Sequence, residues 1–168
     1  MFSVGEYVIY GTEGVCRVEE VGPAQVRGLD KKRLYYRLRP HYQDGVIYTP
    51  VDGRASMRPV LSRAELEALL PALDALEPLE DVPADSRMAG EYYRTLLAGH
   101  DCRTLLRLCK TLYHKQQTLM KSRRTVSATE QRSWKQAEDM LHGEFAFVLG
   151  IAPAEVKAYL TQRLRAQA

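Results

Sequence analysis

Over Met57-Arg58-Pro59-Val60-Leu61-Ser62-Arg63-Ala64-Glu65 the hydrophobic period of this chain changes. Met57-Arg58-Pro59-Val60 is a short strand-like run. Ser62 followed three residues later by Glu65 is a capping-box signature: a side-chain oxygen and a carboxylate satisfy the orphan amides at a helix start. A helix over 64–76 is therefore predicted, and everything before Leu61 belongs to a different kind of structure.

Working back from that boundary, short β-branched or aromatic runs alternate with glycine-rich turns. Tyr7-Val8-Ile9-Tyr10, Val15-Cys16-Arg17-Val18, Leu34-Tyr35-Tyr36-Arg37-Leu38 and Val46-Ile47-Tyr48-Thr49 are separated by Gly11, Gly14, Gly22-Pro23, Gly28 and Asp44-Gly45. Four or five strands in so short a span fit a small SH3/Tudor-like β-barrel, with an edge strand able to dock a partner. Working forward, helices are expected over about 87–98, 102–120, from Ser127 with its partner Glu130 to Leu149, and 153–165. Gly99 is expected to end the first of these, Asp101 to cap the second, and Gly150 to stop the third. Leu76-Glu77-Pro78 through Pro83 reads as a hinge. The predicted class is α+β: a barrel domain over 1–60 and an all-α domain over 61–168.

Composition narrows the function. The chain has 168 residues, 45% of them hydrophobic and 27% charged, enough for one ordinary domain or two small ones. No apolar run approaches the roughly 18 residues of a membrane span, and the first residues form no secretory leader, so a cytoplasmic protein is expected. Three cysteines without a CxxC pair suit reduced, buried thiols rather than disulfides or a metal site. Net charge is uneven: +2 over 1–58, −6 over 59–85 and +7 over 86–168. A basic final half points to an acidic partner, with nucleic acid the first candidate.

On the helix 102–120, Arg103, Arg107, Lys110 and His114 fall within about 60° of one another, opposite Leu105, Leu108 and Leu112. Lys121, Arg123 and Arg124 extend this stripe into a basic loop. It suits successive phosphates, and an ordinary solvated face is the alternative. Trp134 shares a face with Ala137, Leu141 and Phe145 and reads as core. In the strand 34–38, Tyr35, Arg37 and Arg39 alternate with Leu34, Tyr36 and Leu38. The arginines favour the first set as the outward one, either a protein-binding surface or a polar sheet face. Enzyme readings find no support: there is no P-loop, GxSxG, HExxH or GxGxxG, and His100-Asp101-Cys102 is more simply a helix start.

The opening Phe2-Ser3-Val4-Gly5-Glu6-Tyr7-Val8-Ile9-Tyr10-Gly11, followed by Val15-Cys16-Arg17-Val18, resembles the start of the CarD/CdnL family of bacterial transcription regulators. Tyr48-Thr49-Pro50-Val51, the break at Ala98-Gly99-His100-Asp101 and Gly143-Glu144-Phe145-Ala146 resemble later landmarks, in order. The resemblance implies a non-enzymatic protein without cofactor, metal or small-molecule substrate. Its barrel would dock on the RNA polymerase β subunit, partly by extending a sheet. Its helical domain would contact promoter DNA at the upstream edge of the transcription bubble and modulate open-complex stability.

Carried over by position, the polymerase-contacting strands match Val26, Arg27 and the region of Tyr48, where a tyrosine replaces the family's basic residue. Tyr35 and Arg37 join them from the outward row. The family often places a tryptophan at the start of the second helix of the helical domain, wedged against the minor groove. Ser86 stands at that position here, with Met88 a candidate apolar substitute. Arg87 and Arg94 then join the basic stripe in the expected DNA-contacting set. The alternative is an adaptor that binds polymerase or another partner without touching DNA, and a free-standing nucleic-acid binder is a third reading.

Overall fold

A computed structural model describes residues 1–167 of the chain. The chain forms two compact units that meet in sequence at Val60 and Leu61. The first is a five-stranded, wholly antiparallel sheet in the order β4-β3-β2-β1-β5. Its strands are β1 (Tyr7–Tyr10), β2 (Gly14–Pro23), β3 (Leu34–Pro40), β4 (Ile47–Pro50) and β5 (Met57–Pro59). The β1–β2 hairpin turns at Gly11 (φ 45°) and Gly14 (φ 79°), left-handed positions where a Cβ would be strained.

The strand count and class agree with the expected α+β fold and a Tudor-like unit, but the sheet is not closed into a barrel. Among the described residues no ladder joins β4 to β5, so both remain edges. Each of these two strands ends in a proline, Pro50 and Pro59, which has no N–H to give to a ladder. Beside Pro50 the N-terminal residues pack instead: the Phe2 amide donates to the Tyr36 hydroxyl at 3.0 Å, and the two rings meet edge-on at 6.1 Å. A recess of about 310 Å³ stays open there, lined by Phe2, Tyr36, Thr49, Val51 and Met57 among others. The core beneath is Val8, Cys16, Val18, Tyr36 and Leu38.

The second unit is helical: α1 (Arg63–Leu69), α2 (Ser86–Gly99), α3 (Cys102–Met120), α4 (Ala128–Leu149) and α5 (Pro153–Gln167). Both predicted capping boxes form. Ser62 Oγ accepts from the Glu65 amide at 3.1 Å and Glu65 returns a carboxylate to the Ser62 amide at 2.7 Å; Ser127 and Glu130 repeat the arrangement. Asp101 caps α3 as expected, and Asp85 caps α2 by accepting from the Arg87 and Met88 amides. The first helix is shorter than predicted. It gives way after Leu69 to a 3-10 turn over Leu70–Ala72, because Pro71 supplies no amide and crowds the preceding turn. At the end of α2 the left-handed cap is His100 (φ 45°) rather than Gly99.

Apolar side chains of all five helices make one core, including Leu66, Tyr93, Leu105, Leu108, Phe145 and Val156. Trp134 packs half-buried against it, as its helical face requires. The supposed hinge is not free chain. Leu79 and Val82 pack on this core, the Tyr92 hydroxyl of α2 donates to the Glu80 carbonyl at 3.3 Å, and residues 74–79 are tied to α3 by hydrogen bonds described below.

Candidate protein and nucleic-acid interfaces

On the sheet, register decides which predicted residues meet. Arg37 pairs across the ladder with Glu20 on β2 and with Tyr48 on β4. Tyr35, Arg37 and Tyr48 line one shallow recess. Tyr35 is not an exposed contact, however. It is 5% exposed, and its hydroxyl accepts from the Asp30 amide at 3.2 Å, so the β2–β3 loop lies against it. Leu34, expected to face inward, is exposed at the start of the strand. Val26 and Arg27 lie in the loop after β2 rather than on a strand, in a turn closed by the Leu29 amide donating to the Val26 carbonyl, with Gly28 (φ 93°) inside it. Both are exposed.

A bulge between Val18 and Glu20 sets the electrostatics of this face. One extra residue re-aims a side chain, so consecutive carboxylates meet the arginines of β3. Arg39 Nε donates to Glu19 at 2.5 Å, and Arg37 lies 3.0 Å from Glu19 and 3.3 Å from Glu20. The hydrogen bond from Arg39 holds the Glu19 carboxyl below its ordinary range, aided by the charges of Arg39, Arg37 and Arg17. Arg33 does the same to Asp52 at 2.6 Å. These arginines are therefore already neutralised within the sheet.

In the helical unit the predicted stripe is divided. Arg107 Nε donates to the Glu77 carbonyl at 2.9 Å and its Nη2 to the Pro78 carbonyl at 3.2 Å. Lys110 Nζ donates to the Asp74 carbonyl at 3.1 Å, and the Leu79 amide donates to Thr111 Oγ1 at 2.8 Å. The acidic segment thus forms a strap bound to the middle of the basic face of α3, where Arg107 and Lys110 donate to its backbone carbonyls. Backbone carbonyls of a proline-interrupted segment lack helical partners, and these long cations reach them.

What remains exposed separates into two places. Arg103 stands in the first turn of α3. Lys121, Arg123 and Arg124 lie beyond its far end, roughly 27 Å away along the helix by its rise per residue. His114 is exposed between them, edge-on to Tyr113. The basic turn lies near the start of α2: Ser86 and Ala89 share a cleft of about 240 Å³ with Lys115, Arg124, Thr125 and Glu130. Gly90 permits this approach, since a Cβ there would lie 3.1 Å from the Thr129 methyl on α4. Arg87, ion-paired to Glu91 at 3.9 Å, and Met88, 59% exposed, belong to that first turn of α2, and Arg94 is exposed two turns on.

Sequence reasoning missed the groups that hold this end together. Lys115 Nζ donates to the buried Glu130 at 2.5 Å, adding a second partner to the capping-box carboxylate. Gln116 accepts from the Val126 amide at 3.0 Å, and Gln131 donates to the Val126 carbonyl at 3.2 Å. The capping box marked Glu130; nothing in the spacing marked Lys115 as its partner.

His100 and Cys102 are buried, the Cys102 thiol lies 3.3 Å from Glu144, and Asp101 is occupied as a cap. Burial, with the nearby Glu13 and Glu138 respectively, pushes the Cys16 thiol up to about 11 and Cys109 to about 12. Among the described residues no cluster of His, Cys, Asp and Glu is placed to hold a metal ion, and no helix is long and apolar enough to cross a membrane.

Comparison with known proteins bears on the sheet unit. Residues 2–61 match the family model of the CarD-like/TRCF RID domain, a span that coincides with the five strands. The match agrees with the CarD/CdnL resemblance of the opening motif. A RID domain is a protein-interaction module directed at RNA polymerase, not a catalytic one, which makes this a transcription-related, polymerase-binding protein. No curated protein matches the chain.

Proposed function

We propose that the chain is a transcription regulator that docks on the RNA polymerase β subunit through residues 1–60 and contacts promoter DNA through the helical unit, altering the stability of the open complex. The observation that carries this reading is the RID match across the whole sheet unit. Two structural features support it. The sheet keeps an unpaired edge at β4, next to Arg37 and Tyr48, where a partner strand can add its backbone hydrogen bonds. The exposed cations at the α2 and α3–α4 end give phosphates a compact target.

Docking would raise the local concentration of the helical unit at the promoter, so a few phosphate contacts suffice although binding to free DNA is weak. Any preference of those contacts for opened DNA would increase the open population by the same factor. The test is binding of the purified chain to core polymerase and to the isolated β lobe, by co-elution or calorimetry. Binding to both, weakened by charge reversal at Arg37, is the expected result. Failure of the intact chain to bind polymerase from its own source would end this reading.

A second reading, an adaptor without DNA contact, draws on two observations. Arg107 and Lys110 are engaged by the strap, and Trp134 packs on the helical core instead of standing as an exposed wedge. It predicts no promoter DNA shift at ~50 mM salt even with polymerase present.

A further inference from the structure

Between the start of α2 and the α3–α4 turn lies a cleft of about 240 Å³. Small residues make it: Ser86 and Ala89 leave open a space that larger side chains near the start of α2 would fill. Its walls are fixed against one another. A Cβ on Gly90 would lie 3.1 Å from the Thr129 methyl, so α2 sits close on α4, and Gln116 and Gln131 hold the turn by Val126. Pockets for drug-sized ligands run to roughly 300–1,000 Å³, so this preformed cleft suits something smaller, about one planar ring system.

The lining says what kind of ring. Pro83, Ala89 and Leu119 offer apolar surface to its faces. With them stands a charged pair whose carboxylate is out of solvent: Glu130 is 4% exposed, and Lys115 Nζ donates to it at 2.5 Å. Among the described residues Lys115 Nζ makes this one bond, and the carboxylate otherwise accepts from the Ser127 amide and hydroxyl. An ammonium has three N–H groups and a carboxylate about four acceptor positions, so donors and an acceptor remain side by side in the cleft. The edge of an unpaired purine or pyrimidine presents the complementary pattern, donors beside acceptors, on a ring with two apolar faces. A hydrocarbon group would cut the pair off from water without replacing those bonds. A paired base cannot offer the edge, because its partner base already uses it. For the anionic part of the ligand, Arg124 lines the same cleft and is exposed.

We infer that this cleft is a nucleotide site for an unpaired base: the ring lies between Ala89 and Leu119, its edge meets Lys115 and Glu130, and its phosphate meets Arg124. A free nucleotide and an unpaired nucleotide of an opened strand share this chemistry. Neither source requires the basic turn to track a DNA backbone, so the site stands or falls apart from the promoter-contact reading.

The test follows the amide resonances of the isotope-labelled full chain by nuclear magnetic resonance. The probes are deoxynucleoside monophosphates, deoxyribose phosphate, a short single strand, the same strand built of abasic residues, and its duplex. The monophosphates should shift the amides of Ser86, Ala89 and Thr125 saturably. They should bind at least about fivefold more tightly than deoxyribose phosphate, the low end for a base held by its faces. The Ser86 side chain is exposed and makes no hydrogen bond among the described residues, so Ser86→Leu narrows the cleft without removing a bond. This variant should bind nucleotides no better than deoxyribose phosphate, with its melting temperature within about 2 °C of the parent. Ala84→Leu, also exposed on the cleft wall, repeats the test by a second route. Met88→Ala, in the same turn but outside the cleft, should change nothing.

A single strand that binds more tightly than both its abasic form and its duplex makes the opened strand the source. A strand no better than its abasic form, with monophosphates still bound, makes a free nucleotide the ligand. Either result supports the site. Deoxyribose phosphate bound as tightly as the nucleotides overturns it and leaves only phosphate on exposed cations. Undiminished nucleotide binding by both leucine variants, or no saturable shift with any base-bearing probe, overturns it as well. The promoter-contact reading, measured as polymerase association with and without DNA, survives each of these failures.

Discussion

The sheet and the helical unit treat their arginines in opposite ways. Arg33, Arg37 and Arg39 each lie within ion-pair distance of a carboxylate, with Glu19 shared by two of them. At the α3–α4 turn, Lys121, Arg123 and Arg124 are exposed and make no ion pair among the described residues. The residues of both sets are basic and spaced closely in sequence. The difference is that β2 supplies a bulged pair of carboxylates opposite its neighbour, whereas a helix end projects its cations past any acidic partner. Local charge density is therefore a poor measure of a binding surface. A paired arginine must give up a partner before it meets another anion, so the sheet is left to bind through its backbone edge and recess. The helical end can bind through charge alone.

The most disruptive test of this separation is Leu108→Ala. Leu108 is fully buried in the helical core, and its truncation should cost that unit about 3–4 kcal/mol. Thermal unfolding followed by circular dichroism should show the helices melting earlier, while capture of polymerase by the sheet persists below the melting of the strands. Loss of capture at the helical transition would mean that the two surfaces do not act separately.

Next in size is Arg107→Ala, which removes two charge-assisted bonds to the strap carbonyls. The expected cost is about 1–2 kcal/mol in denaturant unfolding, with no change in the salt dependence of promoter association. A reduced salt slope would return Arg107 to the DNA-contacting set and show that the strap yields to phosphates.

Acid titration should give the smallest effect, and it orders the units. Burial lowers the pKa of His142, so the helical unit draws stability from the neutral ring above the ordinary histidine value of 6.5 and loses it as pH falls through the lowered one. Glu19 and Asp52 are held low by their arginines, so the sheet has their contribution in full above the ordinary carboxylate values and loses it as pH falls from there through the lowered ones. Melting followed from pH 7 to 3 should therefore weaken helices first and strands second. His142→Gln should flatten the first step.

Much of this arrangement is legible from local pattern. Ser62 with Glu65, Ser127 with Glu130, and Asp101 before Cys102 mark three helix starts, because a cap is made within four residues of its partner. Pro71 should have shortened the first helix, since a proline inside a helical pattern removes an amide and crowds the turn before it. Alternation along 34–39 placed Tyr36 and Leu38 in the core correctly. It erred at Tyr35, which is covered by a loop that the period of a strand does not register. The stripe on α3 was legible as a helical face. That it is strapped at Arg107 and Lys110 was not, because their partners lie about 30 residues upstream and are backbone carbonyls common to every residue type.

By itself the sequence determined the change of period near Leu61, the class of each half, the caps and the RID-like opening. All of these rest on interactions between residues a few positions apart, or on a motif read directly. Tertiary structure decided that the sheet stays open, that Glu19 bulges toward two arginines, that the acidic strap engages Arg107 and Lys110, and that Arg123 stands exposed at a positive φ. Those outcomes depend on which distant backbone groups lack a partner once the chain has folded, and on which side chains are long enough to reach them.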